Sequence, residues 1–215
     1  MSHFRTVLFD FDYTLADSSR GIVECVNYAL SGMGLPQVPA EEIRRTIGLS
    51  LPNILTRLAG MEHAERSHEF GRLFVERADE VMADLTKVFD DIPKIIEHLK
   101  DEGLSLGIVS TKFRHRIEEV LRRVDLLEPF DVIVGGEDVS SHKPDPESLL
   151  KAIEKMKSSL STSIYVGDSV TDAETAKRAE VPFIAVLSGV TPRDAFARYS
   201  VFGIIENLRE IIDLM

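Results

Sequence analysis

Two aspartates, Asp10 and Asp12, stand one residue apart directly after the apolar triplet Val7-Leu8-Phe9. Asp168 follows Ile164-Tyr165-Val166-Gly167, and Asp172 lies one helical turn further on. Ser110 and Thr111 follow the run from Leu106 to Val109. Lys143 sits in His142-Lys143-Pro144-Asp145-Pro146, in the loop after Val132-Ile133-Val134. Four apolar runs therefore lead into carboxylates, a hydroxyl and a lysine. These types suit phosphoryl transfer. Carboxylate oxygens are the natural ligands of a hard cation such as Mg2+, and the cation offsets repulsion between an anionic nucleophile and a phosphate. A carboxylate can attack phosphorus and split hydrolysis into two easier steps. A second acid protonates the leaving oxygen and then activates water. A lysine and a hydroxyl can hold the remaining phosphoryl oxygens.

The positions of these residues depend on the elements that carry them. Val7-Leu8-Phe9, Leu104 to Val109, Val132-Ile133-Val134, Ile164-Tyr165-Val166 and Phe183 to Val186 are too short for helices and rich in branched residues, so they are predicted to be buried strands. Helical patterns lie between them at Ile92 to Glu102, Arg116 to Val124, Pro146 to Met156 and Thr171 to Ala179. Pro93 and Pro146 each suit a first helical turn, and Gly103 suits a helix stop. This alternation predicts a parallel sheet covered by helices. In such sheets, sites form beyond the carboxyl ends of the strands, where the residues above fall.

The rhythm breaks between about Asp17 and Asp84. Ile22, Val26, Ala29 and Leu30 repeat at helical spacing, as do Phe70, Leu73, Phe74 and Val81, and no strand is evident. A helical insert of roughly seventy residues is expected, with turns at Gly32, Gly34 and Pro36 and at Gly48 and Pro52. The domain expectation is a core of residues 1–16 and 85–215 and a helical cap of residues 17–84 that acts as a lid. Lys112, His115 and His142 are expected to be solvated. Tyr13 would be strained if φ there were positive.

With 25 Lys and Arg against 36 Asp and Glu, the net charge is -11, which argues against broad contact with nucleic acid. No apolar run reaches the ~18 residues of a membrane span. Met1-Ser2-His3-Phe4-Arg5 leads straight into the first strand without a signal peptide pattern. The single cysteine, Cys25, falls in an apolar helical pattern and is expected to be a buried thiol. A cytoplasmic protein without nucleic-acid or membrane partners is the resulting expectation. The oligomeric state is left open.

The segment Asp10-Phe11-Asp12-Tyr13-Thr14-Leu15-Ala16-Asp17-Ser18 resembles the first motif of the haloacid dehalogenase superfamily. Ser110, Lys143 and Gly167-Asp168-Ser169-Val170-Thr171-Asp172 resemble its second, third and fourth motifs, in that order. The resemblance spans essentially the whole chain and is strongest to the branch of phosphoglycolate phosphatases and beta-phosphoglucomutases with a small helical cap. It implies a Rossmann-like, doubly wound α/β core with an inserted cap and a Mg2+-dependent phosphatase that works through an aspartyl-phosphate. It implies Asp10 as nucleophile and metal ligand. Asp12 would be general acid and base, with its backbone carbonyl on the metal. Ser110, Thr111 (through its N–H) and Lys143 would bind phosphate. Asp168 would be a metal ligand and Asp172 an outer-shell partner. Lys143 would also neutralise Asp10. The substrate would be a small phosphorylated metabolite, with phosphoglycolate, pyrophosphate, a nucleotide and a sugar phosphate left open.

A phosphosugar mutase, a dehalogenase and a non-catalytic regulatory protein on the same scaffold are the competing expectations. Asp12 speaks against the dehalogenase, which needs no acid for its leaving group, and the intact motif set speaks against a non-catalytic protein. Leu51 stands where the mutase-like relatives would carry a cation for a second phosphate. Arg44 and Arg45 are expected to be solvated.

Overall fold

The computed structural model describes residues 4–215. Met1, Ser2 and His3 of the segment expected to lead into the first strand lie outside the described residues. The chain divides into two compact units, one comprising the segment up to Ala16 together with Val88–Met215, the other Asp17–Lys87.

In chain order, β1 is Thr6–Phe9 and β2 is Ala16–Asp17. The helices α1 (Ser19–Gly32), α2 (Ala40–Arg44), α3 (Leu51–Ala59) and α4 (Ser67–Val81) follow. β3 (Lys87–Val88) pairs with β2 in a two-stranded sheet. Then come α5 (Ile92–Asp101), β4 (Ser105–Val109), α6 (Arg114–Arg123) and β5 (Val132–Val134). The chain ends with α7 (Glu147–Lys155), β6 (Ser163–Gly167), α8 (Val170–Ala179), β7 (Phe183–Val186) and β8 (Gly203–Ile205).

The main sheet has the order β5-β4-β1-β6-β7-β8, and every pairing in it is parallel. All residues of β1, β6 and β7 are buried, as strands covered on both faces must be. The intervening helices bury one stripe each. In α5 it is Ile92, Ile95, Ile96 and Leu99, at helical spacing. One face of the sheet packs Leu8, Val109, Val134 and Tyr165 against Leu149, Ala152 and Ile153 of α7 and Ala173 and Ala176 of α8. The chain builds β4 and β5 on one side of β1, then crosses to build β6, β7 and β8 on the other. That reversal makes the carboxyl end of β1 a topological switch point, and Asp10 follows it directly.

The Asp17–Lys87 unit has its own apolar core, in which Ile22, Cys25, Val26, Ala29 and Leu30 of α1 meet Phe70, Phe74 and Ala78 of α4. Cys25 is a buried free thiol. Arg77 ties the two helices together through Glu24, 2.6 Å away.

Two local expectations are corrected, and β8 went unforeseen. Pro146 caps α7 from outside rather than occupying its first turn. Helix α6 starts at Arg114, two residues before the apolar periodicity begins. β8 carries no strand signal, because it is a three-residue edge strand that opens with Gly203. Gly103 stops α5 as expected, with φ at +77°.

Candidate active site

Asp10 leaves β1 still tied to the sheet, its N–H donating to the Val166 carbonyl at 2.9 Å. Its carboxylate is buried and meets Lys143, whose Nζ lies 2.9 Å from Asp10 Oδ1. The approach is too poorly aligned for a hydrogen bond, so Oδ1 remains without a donor. Lys143 Nζ also donates to Asp172 Oδ1 at 2.6 Å and to the Tyr165 hydroxyl at 3.1 Å. The Tyr165 hydroxyl lies 2.9 Å from Asp172 Oδ1 and 3.0 Å from the Val109 carbonyl, either of which can accept its single proton. Asp172 takes up its other oxygen as the third residue of α8, in a reciprocal cap with Ser169. Both oxygens of Asp172 are therefore engaged.

Asp12 makes a second ion pair. Lys112 Nζ lies 3.0 Å from Asp12 Oδ1 and 3.4 Å from Oδ2. The two side chains are only 5% and 7% exposed. Lys112 is thus buried in the site, against the expectation of a solvated lysine. Tyr13, next along, has φ at +64° and is buried. The positive φ that would strain a tyrosine is therefore present, and the Tyr13 carbonyl accepts a hydrogen bond from the Ser188 hydroxyl.

Asp168 completes the carboxylate group. One oxygen from each of Asp10, Asp168 and Asp172 lies within 4.8 Å of the others, and all three residues are buried. Two glycines make room for them. A Cβ on Gly189 would come within 1.9 Å of Asp168 Oδ2, and one on Gly167 within 2.6 Å of the Asp172 side chain. Burial pushes the Asp168 carboxyl well above the usual carboxylate range, with Asp172 and Asp10 adding to the rise. Burial likewise lifts Asp10 from 3.8 to about 6, with the Lys143 charge pulling down and Asp172 and Asp12 pushing up. Burial opposes the Lys143 charge, but Asp10 and Asp172 outweigh it and hold the ammonium well above its ordinary range. Four buried carboxylates, Asp10, Asp12, Asp168 and Asp172, face two buried lysines, Lys112 and Lys143. With all four ionised, the carboxylates outnumber the lysines by two charges, which is what one divalent cation would balance, and such an ion would favour the ionised forms that burial alone opposes. An all-oxygen donor set of this kind fits a hard ion.

The residues singled out in the sequence thus gather at the carboxyl edge of the sheet. Ser110 is buried at the end of β4, and the register Phe9↔Ile108 brings it within one residue of the level of Asp10. Its N–H donates to the Val134 carbonyl at 3.0 Å. Thr111 is half-buried beside it. His115 and His142 are exposed, as expected. Lys112 and Tyr165 are the two site residues that sequence reasoning missed. Lys112 follows Ser110 by two residues, and that proximity was the one signal it offered.

A model of the haloacid dehalogenase-like hydrolase family matches residues 7–186. A protein of Caldanaerobacter subterraneus, provisionally named a pyrophosphatase, is 29% identical over 209 residues, 97% of this chain and 93% of its own. A phosphoglycolate phosphatase of Aquifex aeolicus is 31% identical over 175 residues, 81% of each chain. Among solved structures, a protein of Bacteroides fragilis provisionally named a haloacid dehalogenase-like hydrolase superposes with a TM-score of 0.93 at 42% identity, over 97% of this chain and 99% of its own.

Proposed function

The chain belongs to the haloacid dehalogenase-like hydrolases, and on that premise we propose that it is a magnesium-dependent phosphatase that frees phosphate from a small soluble metabolite through an aspartyl-phosphate on Asp10. The observation that carries this is the meeting of a buried, hydrogen-bond-poor Asp10 oxygen with Lys143 and two further buried carboxylates. The names of the relatives, a phosphoglycolate phosphatase among them, point to the same class of substrate.

Asp10 and Asp168 would hold the ion through their carboxylates and Asp12 through its backbone carbonyl, with Asp172 one shell out. When bound, magnesium reduces the repulsion between the phosphate dianion and Asp10. Lys143 holds Asp10 in place, and with Ser110 and the Thr111 N–H it takes the phosphoryl oxygens. An Asp10 oxygen forms a bond to phosphorus as the ester bond breaks, and the leaving oxygen takes the proton of Asp12. The Asp12 carboxylate then takes a proton from water, whose oxygen attacks phosphorus and releases Asp10. Selection among substrates is assigned to the helical insert. A cytoplasmic place accords with the acidic charge and the single free thiol.

The test is phosphate release over a panel of small phosphate esters. Turnover should vanish in EDTA, return with Mg2+ and be lost in Asp10→Asn. Full turnover in metal-free buffer, or by Asp10→Asn, would overturn the proposal.

A further inference from the structure

Each aspartate of the Asp10-x-Asp12 pair has its own buried lysine. Lys143 serves Asp10 at 2.9 Å, and Lys112 serves Asp12 at 3.0 Å. Lys143 also contacts Asp172 and Tyr165, so it belongs to a network. Lys112 lies 3.0 and 3.4 Å from the two oxygens of the Asp12 carboxylate, although the two residues lie 100 positions apart. Its ammonium lies 5.9 Å from the centroid of the Phe11 ring, and its carbonyl accepts from the Gly136 N–H at 3.0 Å. The loop backbone of Lys112 is therefore held at one end and its charge is aimed at the other.

Burying a lysine costs several kcal/mol unless a partner repays it. The bland account is that Lys112 merely neutralises a carboxylate. The carboxylate it holds, however, is the one whose orientation matters most for proton transfer. A general acid must present its proton within hydrogen-bond reach of the leaving oxygen, and a carboxylate on a short side chain can rotate away. Resting on the phosphatase reading above, we infer that Lys112 is a positioning residue for Asp12: its closer contact, with Oδ1 at 3.0 Å, fixes the rotamer and leaves Oδ2 to carry the proton that goes to the leaving oxygen. Lys112 itself forms no bond to substrate. The proton passes from Asp12 to the leaving oxygen as the P–O bond breaks, and the pair of electrons in that bond stays with the oxygen.

The leaving group reports on this role. An alkyl phosphate needs the proton and an aryl phosphate needs it far less, so a fault in proton delivery separates the two substrates. Lys112→Met should lower kcat/KM roughly 10–100-fold for an alkyl phosphate and no more than about threefold for an aryl phosphate, the scale of a lost general acid. In an Asp12→Ala background the same change should do nothing further. Lys112→Gln, which keeps an N–H donor, should fall between Lys112→Met and the parent. Equal losses on both substrates, or further loss in the Asp12→Ala background, would overturn the inference, as would a rise in KM with kcat unchanged, which would make Lys112 a phosphate ligand. If Lys112→Met does not fold, Lys112→Gln carries the same comparison, and a uniform loss there overturns it equally. If Asp12→Ala alone shows no dependence on the leaving group, it is the acid role of Asp12, and with it the phosphatase mechanism, that fails.

Discussion

Replacing Asp10 by asparagine should stabilise the metal-free protein even as it removes catalysis. Asp10 has its carboxyl raised from 3.8 to about 6, chiefly by burial. The folded protein therefore holds this proton more tightly than the unfolded chain does. Its contribution to stability is fully present below pH 3.8 and is lost as pH rises through about 6. At pH 7.5 the ionised group costs the fold about 3 kcal/mol, because each pH unit between 3.8 and about 6 is worth about 1.4 kcal/mol. Asparagine keeps the shape without the charge. Its amide faces the Lys143 ammonium less favourably than a protonated acid would, so a gain of about 1–3 kcal/mol is expected. In a chain of this size that is a rise of several degrees in the unfolding midpoint. The assay is calorimetry of both proteins in EDTA at pH 7.5 and pH 4. The advantage of Asp10→Asn should be clear at pH 7.5 and gone at pH 4. Adding Mg2+ at pH 7.5 should reverse the order, because only the parent keeps its full ligand set and a ligand stabilises the state that binds it. An Asp10→Asn protein that melts at or below the parent in EDTA at pH 7.5 would refute the reasoning.

Asp12→Ala should slow turnover of an alkyl phosphate at least roughly 100-fold and of an aryl phosphate much less, as steady-state rates on paired substrates will tell. Tyr165→Phe removes a hydroxyl that accepts from Lys143 and lies against Asp172. It should cost about 1–2 kcal/mol of stability, read as a lower urea midpoint with an unchanged slope. A phosphoglycolate-sized substrate should exceed a hexose bisphosphate in kcat/KM. Leu51 carries no charge and packs against the apolar core of its own unit, and Arg44 is paired with Glu41 at 3.1 Å. A tenfold preference for the bisphosphate, lost in Arg44→Ala or Arg45→Ala, would count against this.

The parts of the site that follow strands were legible because a buried strand announces itself and its end is then known. Asp10, Ser110 and Asp168 each follow such a run directly. Lys143 was legible from the two prolines around it. Lys112 was not, because a lysine in a sequence carries no sign of burial. Its burial depends on Asp12, a partner 100 residues away that only the pairing of β1 with β4 brings near. Tyr165 looked like any strand aromatic, because its polar end matters only once Lys143 and Asp172 meet it. β8 was hidden by its length. A three-residue strand opening with glycine has too few side chains to show an alternation, and its pairing with β7 supplies what its own sequence lacks.

The order of the strands also governs when this site can come into being. β1 is flanked by β4 on one side and by β6 on the other. Its second partner, β6, begins only at Ser163, so a growing chain carries Asp10 for most of its synthesis beside an open strand edge. Parallel pairing over such a distance pays its loop-closure entropy before any contact repays it. Asp168 and Asp172, just beyond that late partner, then arrive together with it. A nascent chain that stops short of Ser163 has Asp10 without Asp168 and Asp172. The gathering of Asp10, Asp168 and Asp172 would thus mark the closing of the β1–β6 seam.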